Sequence, residues 1–287
     1  MLRFNIVFKR HDVFDFASFR GTSLTIITHI VKFARREYVI LGAILAVAGG
    51  LRFANLNVRE THFDALKQIV VADLPLNDLL AGVSSHLSLP LDYLVTSGLL
   101  RVGIDELTFL RFPAAIYGVI SVVLIWRLAK LVTSDSVIGL VSAFLLAVSH
   151  MSVDWSQRVR LYSLFLMLAL LVLIAFVKFK ETGSIRWLIA WIGTSVLAVY
   201  THYFAFLLVM SLTVYLLLST WFKYRLPEER QKRNRLMTLG SLGAMTIGIF
   251  FLPWLPTTID QLGGQSGTLT YGYTDPVRVV WGTIHNY

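Results

Sequence analysis

Seven long apolar stretches decide what this chain can fold into: about Tyr38–Leu56, Phe112–Val132, Val137–Val153, Leu161–Phe179, Trp187–Thr201, Tyr203–Trp221 and Leu236–Pro256. A helix needs roughly 17–25 mostly apolar residues to cross ~30 Å of hydrocarbon at about 1.5 Å per residue. The third and fifth stretches are short and read as tilted or partly buried. None carries a polar stripe, and Trp126, Trp155, Trp187, Trp191, Trp221 and Trp254 gather near their ends, as at headgroup level. Composition agrees: 56% of residues are hydrophobic and 15% charged, against about 25% charged in a soluble domain. The fold class is an all-α polytopic membrane protein with about seven transmembrane helices.

The net charge is +9, and no cysteine is present. Disulfides, thiolate metal sites and Cys nucleophiles are therefore excluded. A basic chain can signal nucleic acid, but these cations sit between apolar runs, so membrane lipids are the expected partner and nucleic acid is not. The segments before span one, at the end of span two, between four and five, and between six and seven hold 18 of the 26 Lys and Arg. Positive loops stay cytoplasmic, so the N-terminus is expected inside. Ten of the 17 carboxylates then fall on the extracytoplasmic side.

Residues 1–37 read as a cytoplasmic arm, because Lys9, Arg10, Asp12, Asp15 and Arg20 interrupt any signal-peptide core. Residues 38–287 read as the transmembrane domain. Its first outer loop, 57–111, is too long for a simple connector. Helix-like patches at Phe63–Ala72, Leu76–Val83 and Leu91–Leu100 predict short helices along the outer surface.

Polar clusters recur on that outer side. Asp64 follows the first span, where partial desolvation would make it a better base; a solvated loop carboxylate is the plain alternative. His86 precedes Ser88-Leu89-Pro90-Leu91-Asp92-Tyr93, in which Pro90 suits a first helical turn and Asp92 and Tyr93 could face inward. Asp105 and Glu106 read as helix-start charges before Arg111-Phe112-Pro113-Ala114. Asp154-Trp155-Ser156-Gln157-Arg158-Val159-Arg160-Leu161-Tyr162 places two arginines against the positive-inside trend. They must pair with acids, headgroups or a bound anion, and structural pairing to Asp154 stands level with phosphate binding. Tyr200-Thr201-His202-Tyr203 forms an outer hairpin, which could equally be an interfacial anchor.

In this order the blocks resemble the C superfamily (GT-C) of polytopic glycosyltransferases, in particular the bacterial protein mannosyltransferase and aminoarabinose transferase type. The likeness runs from about residue 40 to Pro256, through Arg52, Asp64-Ala65, Ser88 to Tyr93, Arg111 to Ala114, Ser156 to Leu164 and Tyr200 to Tyr203. The resemblance implies transfer of a sugar from a polyprenyl-phosphate donor to a lipid, glycan or protein acceptor at the outer face of the cell membrane, inner or plasma membrane in bacteria. It further implies direct in-line attack with inversion. Asp64 matches the loop base. Arg160 and Tyr162 match the block near the carrier phosphate, with Gln157 and Arg158 beside them, and His202 with Tyr203 matches the hairpin near it. His86, Asp92 and Tyr93 fall in the substrate-binding block.

The chain departs from the family pattern at several places. Ala65 replaces an acid, Ser88 a His, Leu89 a Pro, Asp92 a Tyr and Arg158 a Glu. No cofactor is implied with certainty; a divalent cation stays open, weakened by the lost carboxylates and His. Such enzymes continue with further spans, so the end at Ile284-His285-Asn286-Tyr287, expected in an outer loop, reads as C-terminally incomplete. Two other classes were weighed. A catalytically degenerate subunit of a cell-envelope glycan assembly complex is motivated by Ala65, Ser88 and Arg158. A solute transporter fits worst, because the spans have almost no internal charge.

Overall fold

The computed structural model describes residues 36–58, 60–61, 63–85, 88–224 and 226–268, with side chains to residue 263. Residues 1–35, and with them almost all of the expected arm, lie outside the described residues, as does His86. The chain divides into compact units at 1–43 and 44–287; all contacts given below lie within the second.

The described residues form helices and no strand. Helix α1 covers 36–53. The loop 57–111 holds α2 (Phe63–Ala72), α3 (Leu76–Ser84), α4 (Pro90–Arg101) and the single turn α5 (Leu107–Leu110). The bundle follows as α6 (Phe112–Thr133), α7 (Ser136–Val148), the short α8 (His150–Trp155), α9 (Tyr162–Thr182), α10 (Ile185–Val199), α11 (Phe204–Lys223), α12 (Arg230–Phe251) and α13 (Leu255–Thr268). Four segments are long and apolar enough to cross a membrane, Leu107–Thr133, Tyr162–Thr182, Phe204–Lys223 and Pro227–Gly263, while α7 and α10 are shorter apolar helices. This is an all-α polytopic membrane protein.

Short connections set the antiparallel order of the bundle. Asp135 caps α7 by accepting from the amides of Val137 and Ile138, and Gly183 ends α9 with φ 63°, a left-handed conformation open to glycine. Helix α9 lies between α6 and α10, and α10 in turn packs on α12. The core gathers Leu168, Val172, Phe176 and Phe179 of α9 with Leu188 and Trp191 of α10 and Ile247 of α12. Phe179 and Trp191 stack with centroids 6.1 Å apart. Helix α7 buries only Gly139, Ala143 and Ala147, four residues apart, a small-residue stripe that lets it lie close on α6. Its opposite face exposes Val141, Phe144 and Leu145, as α11 exposes Leu207, Met210, Val214 and Leu218. Bare apolar faces of this kind belong in lipid.

Two expectations are corrected. The third stretch is not one helix to Val153: it breaks at Ser149, whose hydroxyl caps α8 by accepting from the amide of Ser152. The break is fixed from outside, because the fully buried Arg52 donates to the carbonyls of Leu146 at 3.0 Å and Ala147 at 2.9 Å, and to Ser152 Oγ at 2.9 Å. The last stretch begins earlier, at Arg230, and beyond the turn at Leu252–Trp254 a further helix, α13, follows where a loop was expected.

Candidate active site

The polar clusters meet at the end of the bundle where α6, α9 and α11 begin. Helix α4 is tied there by the amide of Leu91, which donates to the carbonyl of Tyr200 at 3.1 Å. This bond sets Asp92, in the first turn of α4, against α2. Gln68 Nε2 donates to Asp92 Oδ2 at 2.6 Å and to Thr96 Oγ1 at 3.1 Å, and the Thr96 hydroxyl donates to the Asp92 carbonyl at 3.0 Å. Burial pushes the Asp92 carboxyl up to about 6, opposed by the Gln68 hydrogen bond and by the positive charge of Arg160.

Arg160 is the hinge of the cluster. Its Nη2 lies 3.5 Å from Asp64 Oδ2, and its guanidinium stands 5.8 Å from the centroid of the Tyr162 ring. Tyr162 in turn lies 4.1 Å from Trp155 and 6.2 Å from His202, centroid to centroid. His202 Nδ1 accepts from the amide of Phe204 at 3.1 Å, which leaves the proton of the neutral ring on Nε2. Burial beside Phe165 lowers its pKa, so the ring is neutral near pH 7. Asp64, Arg160, Tyr162 and His202 thus form one unbroken line, with Asp92 behind the arginine. The backbone carrying Arg160 is held by Val159, which packs with Leu110 and Ala65. Ala65 is therefore a core residue, and an acid in its place would be buried among apolar side chains.

Other expected site residues are engaged in the framework. Gln157 Nε2 donates to the carbonyls of Leu51 and Ala54, both at 2.9 Å, closing the end of α1. Arg158 forks onto Asp154 at 3.0 and 3.2 Å and lies over Trp155. Tyr93 packs with Leu79, Val83 and Trp254. The Tyr203 hydroxyl donates to Gln261 Oε1 of α13, and Gln261 Nε2 donates to the carbonyls of Val83 and Ser88, both at 3.2 Å.

Two clefts flank the 157–162 segment. A polar one of about 850 Å³ is bounded by Leu51, Asn55, Glu60, Thr61, Gln157 and Arg158. An apolar one of about 510 Å³ lies between the α7–α8 break and the start of α9, bounded by Leu146, Met151, Trp155, Tyr162 and Leu166. Among the described residues no group of three His, Asp or Glu side chains is placed to hold a metal ion. Asp64 pairs with Arg160 and the Asp92 carboxylate accepts from Gln68, so these two acids are not gathered around a common cation position.

Sequence reasoning missed Gln68, Thr96 and Gln261. Gln68 falls in register with Ala65 and Ala72 on the buried face of α2, and a polar residue at a core position was its signal. The buried Arg111 also serves the framework rather than the line, donating to the Leu56 carbonyl and to Thr61 Oγ1.

An apolar helical bundle with a polar line at one end and a lipid-compatible groove beside it defines a polytopic membrane protein with chemistry at the membrane surface. The family model described as dolichyl-phosphate-mannose-protein mannosyltransferase matches residues 90–254, more than half of the chain. The protein belongs to that family, and is a membrane glycosyltransferase of the GT-C type that uses a lipid-linked sugar donor and an acceptor. The matched region holds Asp92, Arg160, Tyr162 and His202; Asp64 precedes it. No curated protein sequence matches the chain.

Proposed function

We propose that the chain moves a sugar from a polyprenyl-phosphate carrier to an acceptor hydroxyl at the extracytoplasmic face of the cell membrane, with inversion. In this reading the acceptor oxygen attacks the anomeric carbon while the bond from that carbon to the phosphate oxygen breaks. The acceptor proton passes to Asp64, and polyprenyl phosphate leaves with the bonding electrons. Arg160 and the Nε2–H of neutral His202 stabilise the charge that develops on the phosphate, as donors aimed at a leaving group do. Asp92 steadies Arg160 from behind. The apolar cleft beside Trp155 and Tyr162 takes the first isoprene units, and the acceptor enters through the polar cleft along Gln157 and Arg158.

The observation that carries this reading is the placement of Arg160, 3.5 Å from a carboxylate and over the ring of Tyr162. The carboxylate comes from α2 and the cation from the segment before α9, whose Tyr162 borders the apolar cleft, which supports a base, a phosphate-binding cation and a carrier groove side by side. The core position of Ala65 favours a second reading, a degenerate homologue acting as a subunit of a glycan assembly complex.

Membranes carrying the chain, incubated with radiolabelled polyprenyl-phosphate hexose and lipid, glycan or peptide acceptors, separate the two. Wild type transfers label, and Asp64→Asn loses about 10²–10⁴-fold. Arg160→Gln raises the KM for the donor as well as lowering kcat. Equal transfer by wild type and Asp64→Asn removes Asp64 from its role. Absence of transfer by wild type, with a co-purifying active partner, establishes the second reading.

A further inference from the structure

The opposite end of the bundle carries a pocket that the transfer chemistry does not use. About 270 Å³ opens between α6, α9, α11 and α12, walled by Leu131, Val132, Phe176, Val177 and Leu236. Two cations stand on its lining. Lys180 donates to the Tyr215 hydroxyl at 2.8 Å and lies 4.0 Å from that ring centroid, and Lys223 lies 5.4 Å from the ring of Tyr224. Glu181, also on the lining, is paired with Lys178 at 3.5 Å. The decisive group is Thr220: it lines the pocket, is 1% exposed, and among the described residues its hydroxyl has no hydrogen-bond partner. A buried polar group without a partner is costly, so a ligand atom able to bond it is favoured.

The chemistry of the walls narrows the ligand. Lysines and a hydroxyl above apolar walls fit a phosphate that is attached to hydrocarbon. Helix α11 continues the pocket outward with exposed Tyr215, Leu218 and Trp221, a surface suited to acyl chains. Arg230, Lys232, Arg233 and Arg235 follow on the first turns of α12 and add positive charge near the Lys223 end of α11, and basic pockets between transmembrane helices take anionic headgroups. Lys180 lies on the same helix as Tyr162 and about 27 Å along it, at about 1.5 Å per residue.

We propose that this pocket binds the phosphodiester headgroup of an anionic membrane phospholipid, Lys180 and Lys223 flanking the phosphate and Thr220 donating to it. The full chain, placed in phosphatidylcholine nanodiscs with graded phosphatidylglycerol and read by native mass spectrometry, retains phosphatidylglycerol. At about fivefold for each lysine near an anionic headgroup, Lys180→Gln with Lys223→Gln weakens retention roughly thirtyfold. Thr220→Val weakens it about fivefold by removing one hydrogen bond. Arg186→Gln, an exposed charge at the same end and outside the pocket, leaves it unchanged. Leu131→Trp fills the pocket with both lysines intact and gives the same loss as the double variant, which guards against a variant that merely misfolds. Unchanged retention in the double variant or in Leu131→Trp overturns the proposal. Equal loss in Arg186→Gln overturns it as general attraction, and inorganic phosphate competing as well as the lipid overturns the lipid assignment.

Discussion

Gly118 of α6 is the closest test of how the site is held. A Cβ on Gly118 would lie 2.2 Å from Ser156 Oγ, 2.7 Å from Arg52 Nε and 2.9 Å from Arg52 Cδ. Neither neighbour can step aside without loss. Arg52 is pinned by the Leu146 and Ala147 carbonyls and Ser152 Oγ. Ser156 Oγ donates to the Ser152 carbonyl at 2.6 Å and accepts from Ser163 Oγ at 3.2 Å. Overpacking costs about 1–3 kcal/mol, and a strained or lost hydrogen bond from a buried guanidinium adds about 1.5–3 kcal/mol. Gly118→Ala is therefore expected to destabilise the protein by about 3–5 kcal/mol. At roughly 2–4 °C per kcal/mol for a chain of this size class, the thermal midpoint in detergent falls by about 6–20 °C. Gly248→Ala is the control, because nothing lies within 4 Å of its added Cβ; alanine in an open helical position stabilises by about 0.5–1 kcal/mol. A midpoint for Gly118→Ala within about 2 °C of wild type would show that Arg52 is not the rigid strut inferred from its bonds.

Asp92 makes stability depend on pH. Its folded-state value, about 6 against 3.8 for the free group, means that the folded protein holds the proton more tightly. Stability is then greatest below about pH 4, falls as pH rises from about 4 to 6, and is level above. The span of about two pH units corresponds to about 3 kcal/mol. Asp92→Asn removes this slope in thermal unfolding followed from pH 4 to 8; a slope unchanged in the variant would refute the assignment. Gln261→Leu leaves the Val83 and Ser88 carbonyls without that donor and is expected to cost about 2–4 kcal/mol in thermal unfolding, at about 1–3 kcal/mol for each buried group left unmade. A cost below about 0.5 kcal/mol would show that α13 does not brace the His202 hairpin.

Amphipathic pattern made the loop helices legible. Phe63–Ala72 coincides with α2, and the other two patches differ from α3 and α4 only at their ends, by single residues. Those segments bury one face each, so their apolar spacing reports directly on structure. The break at Ser149 was not legible, because no proline or glycine marks it; Arg52, far away in sequence, fixes it. Helix α13 was hidden for the opposite reason, since the last apolar stretch reads as ending at Pro256, although a proline is at home in a first helical turn. In the site, Asp64, Arg160, Tyr162 and His202 stood out as ordered polar blocks. What the blocks did not carry was division of labour: Arg158 and Arg160 look equivalent on paper, yet one is forked onto Asp154 and the other reaches across to α2. Only tertiary placement separates them.

Under the function proposed above, the short α7 bears on which carriers serve as donor. Its 13 residues span about 20 Å, well under the ~30 Å hydrocarbon depth. The apolar cleft at its end is bounded by Leu146, Met151, Trp155, Tyr162 and Leu166, and in the proposed function it holds only the start of the carrier chain. A long isoprenoid would have only its phosphate-proximal segment gripped, with the remaining tail lying free among lipids. Such a site reads the head of its donor and is indifferent to how far the tail extends, so carriers differing by many isoprene units should compete as equals once their first few units match.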